Sequence, residues 1–163
     1  MSRIVVSLLV MSWFAARWTA PQTERGTAAR TQAIHACSLL TRELVTEHSP
    51  LSKQAFDLVI RIPPSEDAVG QSGSECTYGG VTLTIDAFTP EYFEKVRTPA
   101  WVPVPGVGDT AYFRDNGGRF AELYVRTNAH GLGIQMDVPM GRTSASIQPN
   151  AIALAKAILP KLK

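Results

Sequence analysis

Residues Thr110–Val138 read TAYFRDNGGRFAELYVRTNAHGLGIQMDV. Two segments of strand character, Thr110–Arg114 and Arg119–Arg126, flank Asp115-Asn116-Gly117-Gly118. Polar and glycine residues between two such runs are a strong hairpin signal, because the turn needs backbone conformations that glycine and asparagine tolerate. A second turn, Asn128–Gly131, leads into a third strand, Leu132–Val138. Three sequential strands joined by tight turns form an antiparallel meander, and the rest of the chain is read around it.

Upstream, Glu75–Tyr78 and Val81–Phe88 form a further strand pair around Gly79-Gly80. In the second of these, Val81, Leu83, Ile85 and Ala87 are expected on one face and Thr82, Thr84 and Asp86 on the other. Thr89-Pro90-Glu91 opens a short helix with a cap residue, a proline at the first position and an acid. Tyr92, Phe93 and Val96 line that helix and Pro99 ends it. Trp101–Pro105 is broken by prolines and is an edge segment or a loop. Ser65–Ser74 is a polar loop.

Helices close both ends of the domain. In Cys37–His48, Thr41 is the N-cap and Glu43 stands in the first turn, where the helix dipole favours an acid. Leu40, Leu44 and Val45 line one face, and Ser49-Pro50 stops the segment. Ser144–Leu159 carries Ile147, Ala151, Leu154, Ala155 and Ile158 at helical spacing. Ser52–Ile62 supports two patterns: strand alternation of Phe56, Leu58, Ile60 and Ile62, or a helix opened by Ser52. The fold class is therefore α+β, an antiparallel sheet of about five strands with N- and C-terminal helices packed on one face.

The N-terminus bears on compartment. Arg3 precedes a 13-residue apolar run, Ile4–Ala16, which is the pattern of an export signal. A membrane-spanning helix needs about 20 apolar residues. Cleavage after Ala16 or Ala20 puts Phe14 or Trp18 at the third-last position, where a small residue is wanted, so an uncleaved anchor is the alternative. Residues 1–20 are thus read as signal peptide or signal anchor, 21–35 as a flexible connector and 36–163 as one exported domain. Cys37 stands too far from the apolar run to be a lipidation site.

The net charge of +2 disappears past residue 20, where 14 basic residues face 14 acidic ones. A neutral domain lacks the electrostatic footprint for nucleic acid, and membrane contact is expected only through the N-terminal segment if it stays uncleaved. Two cysteines in an exported chain, Cys37 and Cys76, point to one disulfide, with buried free thiols as the alternative in a reducing compartment. Apart from His35, two before Cys37, neither has a further cysteine or histidine at metal-ligand spacing, so no metal is expected.

Catalytic motifs are weak. Gly106-Val107-Gly108-Asp109-Thr110-Ala111 matches a dinucleotide-loop glycine pattern, but a prolyl segment precedes it and a hairpin follows. Without a helix N-terminus no dipole holds a pyrophosphate, so no cofactor is expected. His35, His48 and His130 fall at segment ends and in turns and are read as surface residues. No Gly-x-Ser-x-Gly element supplies a nucleophile. No Asp-x-Asp calcium pattern is present. Among the aromatic residues, Trp101 is the candidate anchor for a ligand or partner, with packing at the sheet edge as its competing role.

Four segments, Ala36-Cys37-Ser38-Leu39-Leu40-Thr41, Cys76-Thr77-Tyr78-Gly79-Gly80, Val107–Phe113 and Ala153-Leu154-Ala155-Lys156, resemble in order and spacing a group of small uncharacterised exported bacterial proteins. More distantly they resemble secreted actinobacterial lipoprotein domains with a PsbP-like α+β sandwich. The resemblance implies an exported, non-catalytic domain with Cys37 and Cys76 bridged. The chain departs from the lipoprotein pattern in lacking a lipidation site and in a longer Pro50–Gly70 segment. The expected function is a ligand- or protein-binding domain of the envelope, taking a small molecule or an envelope protein on an aromatic-lined concavity or sheet face. The alternative is a small periplasmic hydrolase in which His48 or His130 faces an aspartate.

Overall fold

The computed structural model describes residues 34–70, 73–87, 89, 91, 93–94 and 97–162. These belong to one compact unit, Thr31–Lys163. The expected signal segment and the connector as far as residue 33 lie outside the described residues.

Seven antiparallel strands make the sheet: β1 (Ser65–Val69), β2 (Gly73–Tyr78), β3 (Val81–Ile85), β4 (Val102–Pro103), β5 (Thr110–Asn116), β6 (Phe120–Arg126) and β7 (Gly131–Asp137). Their order across the sheet is β1-β2-β3-β7-β6-β5-β4. The α+β class and antiparallel sheet agree with the sequence reading; the count of about five strands does not. Ser65–Val69, expected as loop, pairs with β2, Ser65 opposite Thr77 and Val69 opposite Gly73. It is an edge strand, almost wholly exposed, so burial imposes no alternation that a sequence could show. Its charged Glu66 and Asp67 also suit an unpaired edge. At the other edge, β4 is only two residues long, with Val102 opposite Phe113.

Among the described residues, α1 (Ala36–Leu39), α2 (Arg42–His48) and α3 (Lys53–Val59) precede the strands and α4 (Ser144–Ile158) follows them. The Thr41 side chain caps α2 by accepting from Leu44 N–H, so the first helical segment is two short helices. Within the ambiguous stretch 52–62, Lys53–Val59 is helical. Ser52 accepts from Ala55 N–H, and Phe56 and Ile60, four apart, are buried while Leu58 and Ile62 are 67% and 66% exposed. Spacing by four and not by two therefore decides the burial. Thr143 caps α4. Pro149 inside α4 offers no backbone N–H to the Ala145 carbonyl four residues earlier.

One face of the sheet meets the helices. Cys76, Leu83, Ile134, Leu123 and Phe113 form a cross-strand row in register. Ile85, Leu132, Val125 and Ala111 form a second. All are buried, and α4 packs on β5, β6 and β7 with Ile147, Ala151, Leu154, Ala155 and Ile158 fully buried. Each large side chain buried this way contributes roughly 1.5–3 kcal/mol.

Cys37 of α1 is bonded to Cys76 of β2, with their Cα atoms 5.0 Å apart. Closing that loop stabilises the fold by roughly 4 kcal/mol on the chain-entropy account. A polar clasp lies beside it. Ala36 N–H donates to Ser74 Oγ at 3.0 Å, and Ser74 donates to Glu66 Oε1 at 2.7 Å. That bond holds the Glu66 carboxyl below its ordinary pKa, with the Cys37 N–H and His35 adding to the effect. No helix among the described residues is long and apolar enough to cross a membrane, and a disulfide fits an oxidising compartment.

Candidate functional site

The composition of the other face of the sheet follows from the pleat. Glu75, Thr84, Gly133, Tyr124 and Tyr112 stand in one cross-strand row. Thr77, Thr82, Gln135, Glu122 and Arg114 stand in the next. Within the first row only Gly133 has no side chain, so the row has a one-residue notch at the middle of the sheet. Glycine is not forced there by the backbone. A Cβ built on it would lie 3.5 Å from Thr84 Cβ, an ordinary contact, and its φ is not positive. A glycine inside a strand, free of either constraint, marks space kept open above the sheet.

The chain itself roofs this face. From the end of β3 it must reach β4 at the far edge, and on the way it crosses β7, β6 and β5. The crossing begins at Asp86, which has φ +52°. That left-handed residue reverses the strand alternation. Ala87, expected beside Val81 and Leu83 on the helix face, instead lines the open-face cavity with Thr82 and Thr84. Asp86 is fastened three ways to the β6–β7 turn. Its N–H donates to Gly131 O at 2.9 Å, its Oδ1 accepts from Gly131 N–H at 2.9 Å, and its Oδ2 lies 2.8 Å from His130 Nδ1. A helical turn follows, in which Phe93 N–H donates to Thr89 O and Arg97 N–H to Phe93 O.

Aromatic rings fasten the roof down. Phe93 stacks on Tyr124 with 3.6 Å between centroids and 11° between planes. Trp101 meets Phe93 edge-on at 5.4 Å. The Arg114 guanidinium lies 4.5 Å over the Trp101 ring, and Arg97 lies 4.4 Å over Tyr112. Between roof and sheet a cavity of about 370 Å³ remains, within the range of small-molecule sites. Gly131, Gly133, Thr82, Thr84 and Gln135 are among its sheet residues. Phe93, Trp101, Tyr124, Arg114, Glu122 and Glu75 complete most of the wall.

The charges in the wall are turned on one another. Arg114 Nε donates to Glu122 Oε2 at 2.7 Å and Nη2 reaches the same oxygen. Asn116 Nδ2 donates to Glu122 Oε1 at 2.9 Å. Glu75 Oε2 accepts from the Thr84 hydroxyl at 3.0 Å. Two polar atoms are left over. Trp101 Nε1 and the Tyr124 hydroxyl are buried and, among the described residues, have no hydrogen-bond partner. Tyr124 is only 7% exposed, and burial pushes its phenol above the ordinary pKa. A buried donor left unpaired costs about 1–3 kcal/mol. Both atoms have essentially no accessible surface, so they belong to the packed wall of the cavity and not to its open space.

The residues singled out in the sequence fall as follows. Trp101 is half-buried and lies on the cavity wall. Cys37 and Cys76 are bridged away from it. The glycines of Gly106–Ala111 turn the chain into β5. Gly108 has φ +58°, and a Cβ there would lie 2.5 Å from Val125 Cγ1. Of the histidines read as surface residues, His35 is one, with its side chain 72% exposed, whereas His48 and His130 are not. His130 faces Asp86, His35 lies 3.4 Å from Glu66, and His48 lies 4.0 Å from Glu47. The His48 and His130 side chains are each only 15% exposed. Gly133, Arg114, Glu122 and Tyr124 went unrecognised as a group. Only the glycine inside a strand pattern could have drawn attention to that face. No group of three or more potential metal ligands occurs among the described residues. No family model, no curated protein and no solved structure matches the chain.

Proposed function

We propose that this chain is an exported, non-catalytic binding domain of the envelope that holds a small molecule in the cavity between the sheet and its crossover. The observation that carries the reading is the cavity itself, kept open over Gly133 and walled by Phe93, Trp101, Tyr124 and Arg114. The Cys37–Cys76 bond supports an oxidising compartment. Its test is native mass spectrometry of the oxidised protein purified through an envelope extract. The expected result is a small-molecule adduct on the wild type that is missing from a folded Gly133→Leu variant, whose side chain fills the notch. An adduct of equal abundance on both, or on neither, sinks the proposal.

A second reading, a small hydrolase, draws on the 2.8 Å contact between His130 and Asp86. A His–Asp pair orients an imidazole for general-base work, but the chemistry also needs a nucleophile on the ring's other nitrogen. The hydroxyl nearest in sequence, Thr127 Oγ1, is engaged with the backbone N–H and carbonyl of His130. Asp86 meanwhile braces the crossover through Gly131. Turnover of p-nitrophenyl acetate that disappears in His130→Ala would favour this reading over the first.

A further inference from the structure

We infer that the cavity takes an organic cation, an amine whose ammonium group is met by the Glu75 carboxylate and whose apolar body lies over Gly133. The inference rests on the cavity being the binding site and adds the class of molecule it takes.

Access comes first. Thr82, Thr84, Gly133 and Gln135 on the cavity floor are all partly exposed, as is Glu75 on β2. Glu75 Oε2 accepts from the Thr84 hydroxyl at 3.0 Å, and that hydroxyl oxygen lies 3.8 Å from the missing Gly133 Cβ. The carboxylate is thus drawn across the sheet toward the notch. Its other oxygen, Oε1, has no partner among the described residues and is not a sealed atom. Charge comes next. Of the charged side chains on the wall, Arg114 and Glu122 are paired with each other. Glu75 is left without a cation among the described residues. Asp67, exposed on β1, stands directly opposite it, and like charges across a strand pair repel. A cation beside Glu75 relieves that repulsion, whereas an anion adds to it. Among the described residues no third acid or histidine joins the two to make a metal site, so the cation is organic. An ammonium N–H donates to a carboxylate in a charge-assisted bond, stronger than a neutral one. Shape comes last. Away from Glu75, the partly exposed Trp101 and Ala87 offer apolar surface to the rest of the guest.

The test uses the full oxidised chain and three probes of similar size. They are 4-phenylbutylammonium (cationic), 4-phenylbutan-1-ol (neutral) and 4-phenylbutyrate (anionic). Affinity is read by titration calorimetry at low salt, and location by the shift of the Gly133 amide in ¹⁵N–¹H spectra. We expect the ammonium to bind about tenfold tighter than the alcohol, roughly the contribution of one hydrogen bond to a charged group, and the carboxylate to bind weakest. Glu75→Gln keeps an acceptor for Thr84 and removes the charge. It should abolish the ammonium's advantage and leave the alcohol's affinity unchanged. A folded Gly133→Leu variant should exclude all three probes. An advantage that persists in Glu75→Gln overturns the role of that carboxylate. Alcohol binding as tight as the ammonium, with Gly133→Leu excluding both, overturns the cation and leaves the cavity reading standing, and so does tightest binding of the carboxylate. Ammonium binding that survives Gly133→Leu puts the amine outside the cavity and overturns the inference. No binding by any probe overturns it as well, and the cavity reading then rests on its adduct test alone.

Discussion

The rings of Phe93 and Tyr124 lie nearly parallel, 3.6 Å between centroids, and this stack joins the crossover to the sheet it roofs. Phe93 is buried, yet it belongs to the open face and not to the core beneath the helices. Phe93→Ala should therefore loosen the roof while leaving the helix-side core packed. The expected loss is about 3 kcal/mol, at the low end for a phenylalanine truncation because the crossover can settle. Urea unfolding measures it. A red shift in Trp101 emission before the main transition would show the roof releasing first. Coincident transitions with unchanged native emission would mean that the stack does not hold the roof.

Asp115 and Glu66, two of the carboxyls whose pKa folding lowers, make the fold sensitive to acid. Asp115 accepts from Gly118 N–H at 2.8 Å and from the Ser144 hydroxyl at 2.8 Å. The Gly118 bond, then that of Ser144, holds its pKa below the ordinary value, as the Ser74 bond does for Glu66. A carboxyl depressed in the folded state binds fewer protons than in the unfolded chain. Its contribution is present above the unfolded pKa, near 4, and is lost as pH falls through the folded value. The urea midpoint should fall progressively below about pH 4. Asp115→Asn and Glu66→Gln should each flatten that slope, and a slope unchanged in both would place the acid sensitivity elsewhere.

The hairpin 110–126 was legible because Asn-Gly-Gly turn chemistry and β alternation agree, and α4 because five apolar residues share one helical face. The disulfide followed from two cysteines and an export-like leader. Edge strand β1 was not legible, since an exposed strand leaves no burial pattern. The site was less legible still. Trp101 stood out for its prolines, but Tyr124 and Phe93 are ordinary aromatic positions until the crossover brings them together. Thr84, Gly133 and Tyr124 are neighbours only through the β3–β7–β6 register. That register depends on long-range pairing, which local periodicity does not encode.

Two turn glycines separate backbone strain from crowding. Gly117 has φ +66° with nothing near its missing Cβ, whereas a Cβ on Gly108, at φ +58°, would lie 2.5 Å from Val125 Cγ1 and 2.7 Å from Arg126 O. Gly117→Ala should cost only the left-handed conformation, about 1–2 kcal/mol. Gly108→Ala carries that cost plus displacement of β6 backbone, and should lose about 3 kcal/mol or more. Thermal unfolding of the pair, read as the difference between them, isolates the crowding. Equal losses would mean that β6 yields freely at Arg126.

Asp86 combines a left-handed backbone with three bonds to the β6–β7 turn, so its substitutions separate strain from bonding. Asparagine tolerates that backbone and keeps an acceptor for Gly131 N–H, losing only the charge facing His130. Asp86→Asn should therefore cost about 1 kcal/mol or less. Alanine keeps no acceptor and is strained at φ +52°, so Asp86→Ala should cost about 2–4 kcal/mol. Because the crossover starts here, Asp86→Ala should also expose Trp101 Nε1–H to faster hydrogen exchange, while Asp86→Asn leaves it protected. Equal stability and equal exchange in the two variants would show that the roof is held by its aromatic stack alone.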